Sequence, residues 1–130
     1  MKKRVIEECI RICINDIEKH PEYGYFPHWT FIIIDNKIVS KGWNRRCEPP
    51  IYTGYHDSSR DGFVPKKHAE MDSIDRCWRK LENFEILNVR MNKSRELMRS
   101  KPCPVCFKKL KDLNCKEIWY TEDNKILKLA

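Results

Sequence analysis

Hydrophobic residues in the first part of the chain recur every three or four positions, the spacing of a helix that buries one face. This pattern predicts a first helix from about Lys3 to Lys19, and Pro21 should end it. Two stretches of aromatic and β-branched residues follow at 29–34 and 38–43, with the turn sequence 35–37 (Asp-Asn-Lys) between them. Together these stretches predict a β-hairpin.

The second half of the chain alternates between helical and extended patterns. It follows a connection over 44–67 that is rich in proline and glycine, and loops of this length are more often functional than idle. The patterns then predict a helix, a strand, a helix and two strands: His68–Leu81, Phe84–Arg90, Pro104–Asn114, Glu117–Thr121 and Lys125–Leu129. The apolar side of the first of these helices includes either Cys77 or Trp78. The order of elements predicts one layered α/β domain over residues 1–130, with a mixed five-stranded sheet.

Composition excludes several classes of protein. Hydrophobic residues make up 41% of the chain and aromatic residues 11%, which is too much for a disordered segment. No apolar run approaches the roughly 18 residues of a membrane-spanning helix, and Met1-Lys2-Lys3-Arg4 leads into a charged stretch rather than an apolar signal core. We therefore expect no membrane partner and an intracellular location, cytoplasmic or nuclear.

The basic character of the chain bears on its partners. A net charge of +7 favours phosphate-bearing partners, and an ordinary solvated surface explains it equally well. Three basic segments are candidates for phosphate contacts: Arg45-Arg46, Lys66-Lys67, and Arg99 with Lys101. Five aromatic residues are candidates either for stacking on bases or for the core: Tyr23, Tyr25, Phe26, Tyr52 and Tyr55.

The seven cysteines are better explained as reduced thiols or metal ligands than as a disulfide framework, because no secretion signal accompanies them. Cys9, Cys13 and Cys77 fall on apolar helix faces and are expected in the core. Cys103 and Cys106 differ, because they begin a helix three positions apart and can converge on one metal. Taken alone, this pair is equally compatible with a redox pair, half of a structural zinc site and a catalytic metal site.

A second motif, His68-Ala69-Glu70, also opens a helix. One histidine and two cysteines make three protein ligands and leave the fourth zinc position for water, as in catalytic sites. Zinc lowers the pKa of bound water to about 7, and Glu70 is close enough to His68 to shuttle protons. A histidine, a glutamate two residues later, and then Pro-Cys-x-x-Cys form the signature of zinc nucleobase deaminases.

On these residues the sequence resembles the cytidine deaminase-like superfamily, and the predicted order of elements extends the resemblance over almost the whole chain. The resemblance implies a three-layer α/β/α fold, with the last two strands as an antiparallel hairpin. It implies one catalytic Zn²⁺ ion bound by His68, Cys103 and Cys106, with Glu70 as the proton shuttle. Members commonly assemble as dimers or tetramers, so a homo-oligomer is expected.

Two further residues are implied as substrate contacts, Asn44 and Ala69. Asn44 follows the second strand within Gly42-Trp43-Asn44, which looks most like the corresponding motif of tRNA adenosine deaminases. Without the nearby zinc motif, a turn residue leaving a strand is the simpler interpretation of Asn44.

The chain departs from the family pattern at several positions. Ser73 replaces a small or apolar residue, while Trp29 and Thr30 replace the small residues that often open the first strand beside the base. Only three residues separate the last two strands, so the helix found there in tRNA adenosine, deoxycytidylate and polynucleotide cytidine deaminases has no room. The hairpin resembles the branch with free cytidine deaminases, which commonly use cysteine where this chain has His68.

The leading hypothesis is a zinc-dependent hydrolytic deaminase that converts cytosine to uracil in a nucleotide, a nucleoside or single-stranded nucleic acid. The alternatives are an adenosine-to-inosine deaminase of tRNA type and a non-catalytic zinc module that binds nucleic acid, with Cys47 or Cys115 as a fourth ligand. A thiol redox protein leaves His68 and Glu70 unexplained. His28 and His56 are expected to be surface or loop histidines, with contact to the pocket as the alternative, and a second metal site around Cys47 and His56 has only weak support.

Overall fold

The structure is a computed structural model that describes residues 1–19, 27–46 and 66–129. Its helices are Lys3–Lys19 (α1), Ala69–Arg76 (α2) and Pro104–Asp112 (α3). Its strands are His28–Ile34 (β1), Lys37–Trp43 (β2), Arg45–Arg46 (β3), Lys66–Lys67 (β4), Glu85–Met91 (β5), Leu97–Met98 (β6), Glu117–Glu122 (β7) and Lys125–Lys128 (β8). No helix in the described part of the chain is long and apolar enough to cross a membrane.

The main sheet is mixed, as the sequence predicts. Six strands form it, one more than predicted. Five of them follow the order β2-β1-β5-β7-β8, and the short strand β6 pairs with the end of β5. Only the β5–β7 pairing is parallel, and the connection between these strands contains α3. The other pairings along this path are antiparallel.

The two faces of this sheet pack against different helices, because successive side chains of a strand point to opposite faces. The first face carries Trp29, Phe31 and Ile33 of β1, which pack with Val5, Cys9 and Cys13 of α1. The second face carries Ile32 and Ile34 of β1, which pack with Leu110 of α3 and, more peripherally, Ile74 of α2. The predicted three-layer α/β/α fold is confirmed, and Cys9 and Cys13 are fully buried core residues.

The second face changes character along its length. The end of this face that carries Ile32, Ile34 and Ile86 is apolar. By the same alternation, the other end presents two cross-strand pairs of polar residues, Thr30 opposite Asn88 and His28 opposite Arg90. The buried groups Thr30 and Asn88 therefore lie in the layer between the sheet and α2.

Both predicted hairpins are confirmed, and their turns are tighter than expected. The β1–β2 turn is Asp35-Asn36 and the β7–β8 turn is Asp123-Asn124, and all four residues have positive φ angles of 47–61°. Asparagine and aspartate tolerate this left-handed conformation, which suits two-residue turns between antiparallel strands. No helix separates β7 from β8.

The second helix is shorter than predicted. Its helical backbone ends at Arg76, and Cys77 has the extended dihedral angles φ −74° and ψ 118°. A helix that continued to Leu81 would bury Cys77 or Trp78 on its apolar face, but Trp78 is 82% exposed. Cys77 instead packs at the edge of the second apolar face, half-buried rather than fully in the core. The prediction of a helix over His68–Leu81 is therefore wrong after Arg76.

The sequence analysis also missed three short strands, β3, β4 and β6. β3 pairs with β4 in a separate two-stranded sheet, which joins the two ends of the predicted connection 44–67. Short pairings of two residues have no recognisable hydrophobic period, so the sequence pattern does not reveal them.

Candidate active site

The first turns of α2 and α3 bring the two sequence motifs together. His68 is the residue before α2, and Cys103 is the corresponding residue before α3, which begins at Pro104. Proline suits the first helical position because its missing N–H needs no partner there. The Cys103 sulfur accepts a hydrogen bond from the Cys106 backbone N–H at 3.5 Å, so it serves as the N-cap of α3.

The side chains of His68, Cys103 and Cys106 converge, with all three candidate ligand atoms within 4.8 Å of one another. His68 Nδ1 lies 3.2 Å from Cys106 Sγ and 3.5 Å from Cys103 Sγ. Tetrahedral zinc with one nitrogen and two sulfur ligands holds these atoms about 3.5 Å apart, given the usual Zn–N and Zn–S bond lengths. The donor set and its spacing therefore fit a zinc ion, with three protein ligands.

The two thiols are electrostatically inequivalent. A hydrogen bond between the two side chains, in which the Cys106 thiol is the donor, lowers the pKa of Cys103 to about 4, against the opposing effect of burial and with a further contribution from His68. The same hydrogen bond raises the pKa of Cys106, and burial raises it further. A thiolate at the start of a helix is the form that binds metal.

Glu70 lies in the first turn of α2 and is 2% exposed. Burial raises the pKa of its carboxyl group. Oε2 accepts a hydrogen bond from Asn88 at 3.1 Å, whereas Oε1 is buried and has no hydrogen-bond partner in the described protein. A buried carboxylate oxygen without a partner is costly, and it is available to a ligand or a water molecule.

The segment Gly42-Trp43-Asn44 fixes the end of β2 against α2. A Cβ atom on Gly42 would lie 2.2 Å from the Ser73 backbone nitrogen, so only glycine allows the strand and the helix to approach this closely. The Trp43 backbone N–H donates to Asp72 Oδ2 at 3.1 Å. This segment therefore determines the position of α2, and with it the positions of His68 and Glu70.

Asn44 and Ala69, the predicted substrate contacts, have different environments. The exposed Asn44 accepts a hydrogen bond from the His28 backbone N–H through Oδ1 at 3.0 Å, and its own backbone N–H donates to the His28 carbonyl at 3.1 Å. Ala69 is the first residue of α2 and is fully buried. The role of each residue as a substrate contact stays a prediction.

His28 is a buried residue of β1, so the expectation of a surface or loop histidine is wrong. Burial, together with the charges of Arg90 and His68, lowers its pKa to about 3. Its Nε2 atom is buried and has no hydrogen-bond partner in the described protein. The electrostatic influence of His68 places this neutral imidazole close to the candidate metal ligands.

Two of the departures from the family pattern have structural explanations. The Ser73 hydroxyl donates to the Glu70 carbonyl at 2.7 Å, which satisfies a polar group in a fully buried position. The Trp29 ring lies on the opposite face of the sheet, where its Nε1 donates to Asp16 Oδ2 at 3.1 Å. The Trp29 side chain therefore does not line the candidate active site, which lies on the other face of the sheet.

The structure describes some of the other residues that the sequence analysis proposed for phosphate contacts, base stacking or metal binding. The backbone pairing of β3 with β4 sets Arg45 opposite Lys67, directly before His68. Arg99 forms an ion pair with Glu122 at 3.3 Å. Seven other candidates lie outside the described residues: Tyr23, Tyr25, Phe26, Cys47, Tyr52, Tyr55 and His56.

The sequence analysis overlooked Asn88, which contacts Glu70 directly. An asparagine within the apolar strand 85–91 (Glu-Ile-Leu-Asn-Val-Arg-Met) is the only signal the sequence offers for it. Buried polar side chains in strands need partners, so such a residue indicates a polar neighbour across the layer.

No protein-family model matches the sequence, and no curated protein matches it. Two crystal structures of the dCMP deaminase from cyanophage S-TIM5 share its fold. The complex with dCMP and dUMP aligns with a TM-score of 0.58 and 16% identity, over 92% of this chain and 82% of that chain. The apo form aligns with a TM-score of 0.56 and 16% identity, over 92% of this chain and 84% of that chain. The chain therefore shares the fold of this dCMP deaminase, in agreement with the fold that the resemblance implied.

Proposed function

We propose that this protein is a zinc-dependent hydrolytic deaminase that converts the cytosine base of a nucleotide to uracil, with deoxycytidylate as the first substrate to test. One observation carries the proposal. Three candidate zinc ligands, His68, Cys103 and Cys106, converge. They interact electrostatically with the buried Glu70, whose Oε1 atom has no hydrogen-bond partner among the described residues. The fold supports it, since the solved dCMP deaminase of similar fold binds dCMP and dUMP.

The residues that would hold the metal are His68 through Nδ1 and Cys103 and Cys106 through their sulfurs. A zinc ion bound there supplies a Lewis acid that makes a water molecule reactive at neutral pH. The lowered pKa of Cys103 favours its thiolate form, which is the form that binds metal.

Glu70 would carry the protons of the reaction. Its carboxylate takes a proton from the attacking water and delivers it to the ring nitrogen beside the amine-bearing carbon. It then takes the remaining proton of the added hydroxyl group and delivers it to the departing amine. The carbon–oxygen bond forms first and the carbon–nitrogen bond breaks second, so cytosine and water give uracil and ammonia. The raised pKa of Glu70 suits a group that must accept and release a proton near neutral pH.

The substrate would bind between the start of α2 and the end of β2. Ala69 and Asn44 are the proposed contacts. The hydrogen bond from the His28 backbone N–H holds the side-chain amide of Asn44 in place. The Arg45-Arg46 and Lys66-Lys67 segments enter this region as paired strands, so they are candidates for a phosphate group.

The test is product analysis by mass spectrometry after incubation of zinc-loaded protein with dCMP, cytidine, a cytosine-containing DNA strand and a tRNA-like RNA. We expect conversion of dCMP to dUMP, with oxygen from heavy-oxygen water in the product. Glu70→Ala should abolish turnover while retaining zinc, and Glu82→Ala, at an exposed carboxylate, is the matched control. Turnover of RNA adenosine alone would replace cytosine by adenine as the substrate, and zinc-loaded protein inactive on all four would contradict the proposal.

The metal site has a separate test that needs no substrate. Cobalt-substituted protein should show the absorption of two thiolate ligands, and Cys103→Ser and Cys106→Ser should each reduce it. Cys77→Ser changes a half-buried cysteine outside the cluster and serves as the control. A third thiolate in the spectrum would instead favour a closed structural site.

A further inference from the structure

Asn88 is a fully buried amide at the centre of the polar end of the second sheet face. Its side-chain nitrogen donates to Glu70 Oε2 at 3.1 Å and to the Ser100 carbonyl at 3.0 Å. The Ser100 hydroxyl in turn donates to the Asn88 carbonyl at 2.8 Å. Asn88 thus joins α2, which carries Glu70, to the segment that leads into Cys103.

The orientation of the Asn88 amide is fixed by the chemistry of its neighbours. The Thr30 hydroxyl donates to Asn88 Oδ1 at 2.5 Å, across the strand pair. Both groups around the amide nitrogen, Glu70 Oε2 and the Ser100 carbonyl, are acceptors. A flipped amide would set its oxygen against two acceptors and its nitrogen against the hydroxyl, so only one orientation satisfies all the groups.

Thr30 is the residue that replaces a small side chain of the family pattern, and this contact accounts for it. Alanine at this position has no hydroxyl and would leave Asn88 Oδ1 buried without that donor. Thr30 and Asn88 are both fully buried and directly opposite each other on neighbouring strands. The two polar residues therefore form one unit.

The consequence falls on the two oxygens of Glu70. Oε2 is engaged as an acceptor of the Asn88 amide, so the carboxyl plane is set by that hydrogen bond. Oε1 is the buried oxygen that has no hydrogen-bond partner in the described protein.

We propose that Asn88, oriented by Thr30, is a positioning residue that reserves Oε1 of Glu70 for proton transfer. This inference rests on the proposed function, because it concerns the orientation of the same glutamate. Asn88 does not touch the substrate in this scheme. It acts by holding the carboxyl group at the angle from which Oε1 reaches the water and the base.

Steady-state kinetics on dCMP with zinc-loaded variants test the assignment. Asn88→Ala should lower kcat by about 100-fold with KM little changed, which is the size of effect expected when a catalytic group is misplaced. Asn88→Asp should lower kcat at least as much, since it sets a second carboxylate against Glu70. Zinc content and thermal midpoint are measured on every variant, so that unfolding and metal loss are recognised.

The matched pair Thr30→Val and Thr30→Ser separates positioning from packing. Valine preserves the shape and removes the hydroxyl, whereas serine keeps the hydroxyl. We expect Thr30→Val to lower kcat and Thr30→Ser to retain most of it. Equal losses in the two variants, or an unchanged kcat in Asn88→Ala, would overturn the inference.

Crystal structures of the variants test the inference independently of turnover. In crystals of the zinc-loaded protein, the Glu70 carboxyl group should turn away from its wild-type orientation in Asn88→Ala. An unmoved Glu70 in that variant would overturn the inference even if none of the substrates tested reacts. Wild-type protein without turnover, combined with a displaced Glu70 in Asn88→Ala, would instead count against the proposed substrate and leave the positioning role supported.

Discussion

The two faces of the central sheet are built on different principles. The face covered by α1 is an apolar core, in which Phe31 and Val89 of the sheet pack against Val5 and Cys9 of the helix. The face covered by α2 and α3 is apolar at one end only, and its other end buries Thr30, Asn88 and Glu70. The first face supplies stability, while the second accepts buried polar groups whose hydrogen bonds must all be arranged correctly.

Cysteines show the same difference. On the first face, burial raises the pKa of Cys9 to about 12 and raises that of Cys13 well above its usual value. At the other face, a hydrogen bond from Cys106 lowers the pKa of Cys103 to about 4. The same side chain is an inert core residue in one place and a candidate metal ligand in the other, because its neighbours differ.

Removal of the Phe31 ring should produce the largest loss of stability. Phe31 is fully buried on the α1 face, so Phe31→Ala loses apolar burial and leaves a cavity, at a cost of about 4 kcal/mol. Urea unfolding measures the loss, and Phe31→Leu should recover most of it. The folded fraction should bind zinc with unchanged stoichiometry. Zinc loss in folded Phe31→Ala would mean that the two faces are not independent.

Gly42→Ala should combine a loss of stability with damage to the site. The added Cβ meets the backbone of Ser73 at 2.2 Å, and a backbone cannot move aside as a flexible side chain does. We expect a cost of about 3 kcal/mol, since α2 must shift away from β2. The shift displaces His68 and should weaken zinc binding by about 10-fold, measured by competition with a chelator.

The control for Gly42→Ala is Lys37→Ala, at an exposed position of the same strand. It should change neither stability nor zinc affinity by a measurable amount. Gly42→Ala with wild-type zinc affinity would show that the position of α2 is not set by β2.

These contrasts also define how much the sequence reveals. The α1 face follows the hydrophobic period closely, so the helix Lys3–Lys19 and the β1–β2 hairpin were predicted within a residue or two. The end of α2 was not, because Trp78 belongs to the apolar set by residue type and is exposed in the structure. Periodicity describes which residues are apolar, and tertiary packing decides which of them are covered.

The candidate site divides in the same way. Two short motifs made four site residues recognisable, because the spacing of residue types within each motif is typical of a zinc site. These residues are His68, Glu70, Cys103 and Cys106. Asn88 has no motif, and its importance comes from the register that sets it opposite Thr30. Contacts that depend on strand register and on the approach of α2 exist only in three dimensions, so no local pattern predicts them.

Acid should destabilise the protein through His28. Its pKa is lowered from 6.5 to about 3, so between these values the unfolded state binds a proton that the folded state does not. Stability therefore falls as pH decreases from about 6.5 toward about 3, by up to about 1.4 kcal/mol per pH unit from this residue. His28→Gln should remove this contribution to the slope, measured by urea unfolding between about pH 4 and pH 7.

The comparison between wild type and His28→Gln cancels the acid lability of the metal site, which both proteins share. Parallel stability curves for the two proteins would show that His28 titrates normally. They would also place it outside the buried polar end of the second face.

The smallest expected effect concerns a polar cluster on the α1 face. Trp29 Nε1 donates to Asp16 Oδ2, and the Lys41 ammonium contacts the same oxygen at 2.7 Å. Trp29→Phe removes one donor but leaves Asp16 its ion pair, so the loss should be about 1 kcal/mol. Thermal unfolding measures it, and kcat should not change because this cluster faces away from Glu70. A substantial fall in kcat would show that Trp29 communicates with the site through β1, although its side chain is on the opposite face.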